Sequence, residues 1–168
     1  MWDKFKKLTV VMLIAAFISG TVPESILPQA AYASAAVPQV QASAYVVMDA
    51  NSGDVVYKKS MNKKIYPAST VKLMTAIVAI ENTDLDKRVV FTKNMRKKVP
   101  SDASKLDLKP GTAYTVKQYL NMLLIGSDAD SAMALASGAG ISYNKFISLM
   151  NSTAKSYGMS KTSFDNPM

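Results

Sequence analysis

Ser69 and Lys72 stand three positions apart in PASTVKLMTA, residues 67–76, at the opening of an apolar segment. A hydroxyl beside a primary amine makes a nucleophile–base pair once the amine is neutral. The chain has no histidine and no cysteine. A serine here has no imidazole base, a thiolate nucleophile is excluded, and so is a zinc site built on His or Cys ligands. A lysine-activated serine is the covalent chemistry left open.

The spacing alone selects nothing, because Ser-x-x-Lys also occurs at Ser60/Lys63, Ser142/Lys145 and Ser152/Lys155. Context separates the pairs. Ser60 falls at a strand end, and Ser142 and Ser152 belong to an amphipathic helix whose lysines suit solvent. Only Ser69 opens an apolar helix, where positions i and i+3 share one face and Lys72 can fold back to Ser69 Oγ. Burial lowers a lysine pKa, and free N–H groups at a helix start favour negative charge developing nearby. The competing reading is an ordinary N-cap serine with a lysine extended to water. Residue types alone leave both open.

Ser127 is the second candidate, in the run SDADSA between two expected helices. From another helix, its hydroxyl is suited to relay a proton between the lysine and a leaving group. Its plainer role is an N-cap followed by an acidic first turn. Asp128 and Asp130 also raise a metal site, but no further ligand cluster accompanies them, so a metal is not expected.

These residues must be positioned by a mixed set of elements. Residues 44–49 and 54–58 flank Ala50-Asn51-Ser52-Gly53 and predict a β-hairpin. STVKLMTAIVAIE, from Ser69 to about Glu81, predicts a helix apolar almost all round and therefore buried. Arg88 to Phe91 suits a short strand, and the polar, basic stretch 92–113 reads mainly as loop. Thr115 is placed to cap a helix from Val116 to about Ile125. Further helices are expected from Ser127 to Ala136 and from Ser142 to Tyr157, ended by glycines. No internal repeat is present.

Composition sets the setting. Of 168 residues, 49% are hydrophobic and 19% charged, which suits one globular domain. Lys4, Lys6 and Lys7 precede the apolar run Leu8 to Ile18, and small residues come next around Ala31 and Ala33. That order predicts a secretory signal over residues 1–33, cleaved after Ala33 or slightly later, with a retained anchor as the alternative. Residues 34–42 then form a linker and 43–168 the domain. Export without cysteine means packing alone stabilises the fold. The formal charge of +8 suits an anionic surface polymer or lipid headgroup, or is simply a solvated lysine surface. Export and the lack of a recognition motif argue against nucleic acid.

PASTVKLMTA closely resembles the nucleophile motif of the serine D-alanyl-D-alanine carboxypeptidases, the low-molecular-mass penicillin-binding proteins. YVVMDANSGDVVYKKSMNKKIYPAS resembles the family's opening hairpin. LDLKPGTAYTVKQYLNMLLIGSDADSAMALA is similar to the approach to its second motif, and YGMSKTSFDNPM to the segment after it. The likeness covers nearly all of residues 43–168.

The resemblance implies an α/β (α+β) fold of the β-lactamase/DD-peptidase type, a helical cluster packed on an antiparallel sheet with Ser69 between them. It implies that Ser69 is acylated by the penultimate D-alanine of a peptidoglycan stem peptide ending in D-Ala-D-Ala. Lys72 would be the base, Ser127 the proton shuttle, and the Ser69 N–H half of an oxyanion hole. β-Lactam antibiotics would acylate the same serine, at the cell wall or the outer face of the cell membrane, and the resemblance implies no metal or organic cofactor.

The sequence departs from the family pattern in two places. The family's substrate-binding asparagine falls at Ala129, which has no hydrogen-bonding side chain. No Lys-Thr-Gly or Lys-Ser-Gly occurs in the 168 residues, although the family uses such a strand for the substrate carboxylate and a second oxyanion donor. The chain is therefore expected to be the N-terminal part of a catalytic domain, lacking the later sheet strands and impaired accordingly. The alternatives are a non-catalytic wall- or penicillin-binding pseudoenzyme and a β-lactamase-like hydrolase. Oligomeric state is not legible in the sequence.

Overall fold

The structure, a computed structural model, describes residues 39–168, so the expected signal segment and the start of the linker lie outside the described residues. The chain divides into two compact units between Lys63 and Lys64.

The first unit is the hairpin. Strands β1 (Tyr45–Met48) and β2 (Val55–Lys59) pair antiparallel, with a register shift between Val47 and Met48. The turn is set locally: Asp49 Oδ1 accepts the N–H groups of Asn51 and Ser52 at 2.9 and 2.8 Å, and Gly53 supplies a φ of 78°. Those N–H bonds hold the Asp49 carboxyl below its usual value. Val46, Val47, Met48, Val55 and Val56 are all exposed.

The second unit is mainly helical. A 3₁₀ turn (Ala68–Thr70) leads into α1 (Val71–Asn82), followed by β3 (Arg88–Val90), α2 (Lys93–Lys98) and β4 (Ala113–Thr115). Helices α3 (Val116–Gly126), α4 (Ala129–Gly138) and α5 (Tyr143–Ser156) complete it. β3 and β4 pair antiparallel with Val89 opposite Tyr114, so the described residues form two small antiparallel sheets rather than one.

Helix α4 is the centre, buried at every residue from Ala129 to Ala136. Its alanines and serines let α1, α2, α3, α5 and β3 all pack against it. Gly138 is required there, because a Cβ would clash with the Val89 and Met95 side chains. Phe146 and Met150 of α5 are fully buried; truncating such a phenylalanine to alanine costs about 3–5 kcal/mol. Tyr119 Oη donates to the Val89 carbonyl at 3.2 Å, and burial pushes its phenol up to about 12.

Three expectations change. α1 is not buried all round, since Leu73 and Ile80 are 58% and 52% exposed along one side. The stretch 92–113 contains α2, started by a capping box in which Thr92 Oγ1 accepts the Met95 N–H and Met95 Sδ accepts the Thr92 N–H. A methionine at that position hides a motif normally recognised by Glu or Gln. β4 is also new; three residues are too short to show an alternating pattern.

Candidate active site

Ser69 sits inside the 3₁₀ turn, exposed, and no side-chain capping bond is made at that helix start. Thr70 closes the turn instead, its N–H and hydroxyl both donating to the Pro67 carbonyl. Ala68 holds a φ of 50°, a left-handed conformation that costs a non-glycine residue roughly 1–2 kcal/mol. The plain reading of a capping serine with an outstretched lysine does not describe this site. Lys72 is only 5% exposed, and its amine turns inward.

Ser127 lies opposite, at the joint of α3 and α4. It does not begin α4, contrary to the expectation from sequence. Asp128 is the N-cap, its carboxylate accepting from the Asp130 and Ser131 N–H groups. Two charged oxygens accept more bonds than one hydroxyl, which leaves Ser127 free. Ser127 takes left-handed angles (φ 51°, ψ 37°), with its N–H on the Met122 carbonyl.

Lys72 Nζ donates to the Ser127 carbonyl at 2.5 Å and to Ser127 Oγ at 3.0 Å, with Ser69 Oγ at 3.5 Å. Burial lowers the Lys72 pKa, partly opposed by the Asp128 carboxylate. The structure thus brings together three of the sequence-predicted residues around one amine. Such an amine, once neutral, can take a proton from one hydroxyl while the other hands one on.

A cleft of about 500 Å³ opens on Ser69 and Lys72, with Ala129 on its wall. Ala129 is fully buried, and its N–H donates to the Ser104 carbonyl at 2.9 Å. Lys98, Asp102, Tyr143 and Asn166 also border this cleft, none of them apparent from the sequence. A smaller cleft of about 280 Å³ touches Ser69, Lys72 and Ser127 from the side of Leu73 and Leu124.

The two acids are fasteners. Asp128 Oδ1 also accepts the Leu106 N–H at 2.7 Å, and Asp128 Oδ2 accepts the Ser131 hydroxyl. Asp130 Oδ2 accepts the Leu108 N–H at 2.9 Å, and Asp130 Oδ1 faces Arg96 Nη1 at 3.0 Å. Their oxygens are directed at N–H groups, a hydroxyl and a guanidinium. The C-terminal segment closes the wall. Asn151 brackets Phe164 with two bonds of 2.7 and 2.8 Å, and Thr75 Oγ1 donates to the Pro167 carbonyl at 2.7 Å.

Comparison with known proteins identifies the family. The D-alanyl-D-alanine carboxypeptidase family model matches residues 31–168. DacF of Bacillus subtilis is 33% identical over 129 residues, spanning 76% of this chain and 33% of DacF. A D-alanyl-D-alanine carboxypeptidase of Escherichia coli, DacA, is 31% identical over 136 residues, 76% of this chain and 34% of DacA. The crystal structure of DacD from Francisella tularensis superposes with a TM-score of 0.68 at 35% identity, covering 77% of this chain and 32% of that one. The chain therefore spans about a third of the length of these relatives. A serine–lysine–serine cluster on this fold and a family match over most of its length lead to one assignment: the chain belongs to the D-alanyl-D-alanine carboxypeptidase family, whose members are serine hydrolases.

Proposed function

We propose that these residues carry the acyl-transfer centre of a serine D-alanyl-D-alanine carboxypeptidase acting on peptidoglycan stem peptides. The observation that carries it is the buried Lys72 amine lying within 3.5 Å of Ser69 Oγ and 3.0 Å of Ser127 Oγ. Neutral Lys72 takes the Ser69 hydroxyl proton as Oγ attacks the penultimate D-alanine carbonyl. The Ser69 N–H steadies the oxyanion. The C–N bond then breaks as Ser127 passes a proton to the departing nitrogen, and free D-alanine leaves. Water adds to the Ser69 ester, the shortened peptide departs as the acid, and Ser69 regains its proton. A β-lactam would enter by the same first step and remain attached.

Ala129 and the absence of Lys-Thr-Gly from these residues bear on rate. A missing oxyanion donor typically costs on the order of a hundred- to a thousand-fold, so acylation by the 168 residues alone is expected to be slow. The substrate places the reaction outside the cytoplasm, at the wall or the outer membrane face, in keeping with the export pattern of residues 1–33.

The test is labelling with a fluorescent penicillin on a denaturing gel. A covalent band absent from Ser69→Ala is expected. A persisting band in Ser69→Ala would place the acylation on another nucleophile, and no band from protein folded by circular dichroism would leave a non-catalytic binding protein; either result rejects the reading.

A further inference from the structure

Three successive residues after Ser127 are bonded to one stretch of chain. Asp128 Oδ1 accepts from Leu106, Ala129 donates to the Ser104 carbonyl, and Asp130 Oδ2 accepts from Leu108. Residues 104–108 are thus a strap across the first turn of α4. The strap is not a strand, since Asp107 within it has a φ of 54°. Carboxylates do the anchoring that a β ladder would otherwise do.

One guanidinium closes the strap onto the helix. Arg96 of α2 donates from Nη2 to the Leu108 carbonyl at 2.6 Å, while its Nη1 faces Asp130 Oδ1 at 3.0 Å. Asp130 is fully buried, and its Oδ1 makes no hydrogen bond, so this cation is its compensation. Arg96 also lies 5.3 Å over the Phe91 ring, and its other carboxylate partner, Asp107 at 3.3 Å, is exposed. Removing one partner of a buried pair strands the other charge.

The clamp has a direct line to the amine. Ser127 is the hinge between α3 and α4, and its left-handed backbone turns both its oxygens onto Lys72. Its N–H is held by α3, as is that of Asp128, whereas the Asp128 and Asp130 carboxylates and the Ala129 N–H are held by the strap. We infer that Arg96 and Asp130 are a positioning pair for Ser127, keeping the first turn of α4 in the register that sets Ser127 against Lys72. The assignment rests on the acyl-transfer reading for its consequence in catalysis, but not for its geometry.

The experiment therefore reads Lys72 itself. In the 168-residue chain carrying ¹³C-ε lysine, the Lys72 resonance is assigned with Lys72→Arg and titrated by NMR, beside penicillin acylation rates. Arg96→Met removes a cation, which through space raises the Lys72 pKa, or leaves it unchanged if Asp130 takes up a proton. Withdrawal of Ser127 instead removes two oxygen acceptors from the ammonium and lowers it. A fall is expected, with acylation slowed about tenfold or more by loss of the relay. Asp107→Asn, which removes the exposed partner, is expected to change neither.

A rise or no change in Lys72 in folded Arg96→Met would overturn the positioning role. If Arg96→Met does not fold, Arg96→Lys makes the same comparison, because a lysine cannot grip Leu108 and Asp130 together. A smaller fall supports the clamp, and an unchanged Lys72 rejects it. Failure of the unaltered chain to react with penicillin would sink the acyl-transfer reading alone, since the titration decides the clamp without any reaction.

Discussion

Lys72 Nζ holds both oxygens of Ser127, the carbonyl at 2.5 Å and the hydroxyl at 3.0 Å, and stands farther from Ser69 Oγ at 3.5 Å. These contacts suit the ammonium, which can donate to all three oxygens. It must lose a proton before it can accept the one on Ser69. Burial makes the loss easier, and the Asp128 charge makes it harder.

Acylation should therefore rise with pH through the lowered Lys72 pKa and level off below the usual lysine value of 10.5. Stability should have the same sign. Between the lowered value and 10.5 the unfolded chain binds more protons than the folded one, so stability rises with pH across that window. Penicillin acylation rates and urea midpoints against pH measure both. Lys72→Met should abolish acylation and flatten this part of the stability slope; a slope unchanged in that variant would remove Lys72 as its source.

Ser127 separates function from stability. Its φ of 51° suits glycine better than any residue with a Cβ. Ser127→Gly should stabilise the fold by about 0.5–1 kcal/mol, while acylation drops roughly a hundred- to ten-thousand-fold with loss of the relay hydroxyl. Ser127→Ala should lose the same activity without the gain in melting temperature. Equal melting temperatures for the two would show that the left-handed backbone does not persist.

Asn151 anchors the segment that brings Asn166 and Met168 to the cleft. Asn151→Ala removes two bonds to the Phe164 backbone, a loss of about 1–3 kcal/mol for groups left unpaired. Weaker apparent penicillin affinity with a preserved maximal acylation rate is the expected split. A loss confined to the maximal rate would place the segment's influence on Ser69 instead.

Thr115 serves as the control. Its hydroxyl accepts the Gln118 N–H at 3.1 Å, and Gln118 returns the bond to the Thr115 N–H at 2.9 Å. Thr115→Ala should cost about 1 kcal/mol in denaturant titration and leave acylation at a fixed temperature unchanged. A large activity loss would mean that α3 transmits strain to Ser127.

Much of the scaffold is legible wherever local chemistry decides structure. The Thr115 cap, the start of α5 at Ser142 and the Asp49 turn each depend on groups within four residues. α2 is hidden in the sequence because it is six residues long, almost wholly polar and capped through a methionine sulfur. The cap of α4 falls at Asp128 and its first helical residue at Ala129, later than the expected start at Ser127, because a serine and an aspartate stand side by side and only the folded chain shows which one caps.

Residue types alone narrowed the kind of chemistry. Without histidine or cysteine, a serine nucleophile in this chain has lysine as its available base, and PASTVKLMTA points to the pair. The tertiary structure decided what surrounds that pair. Ser127 is 55 positions from Lys72, and Arg96 and Asp130 meet only because α2 packs on α4. A helix sets the distance between i and i+3 by its own geometry, whereas a contact between helices depends on the side chains packed around both. Whether Lys72 reaches water or turns inward is a question of burial, and burial belongs to the whole fold.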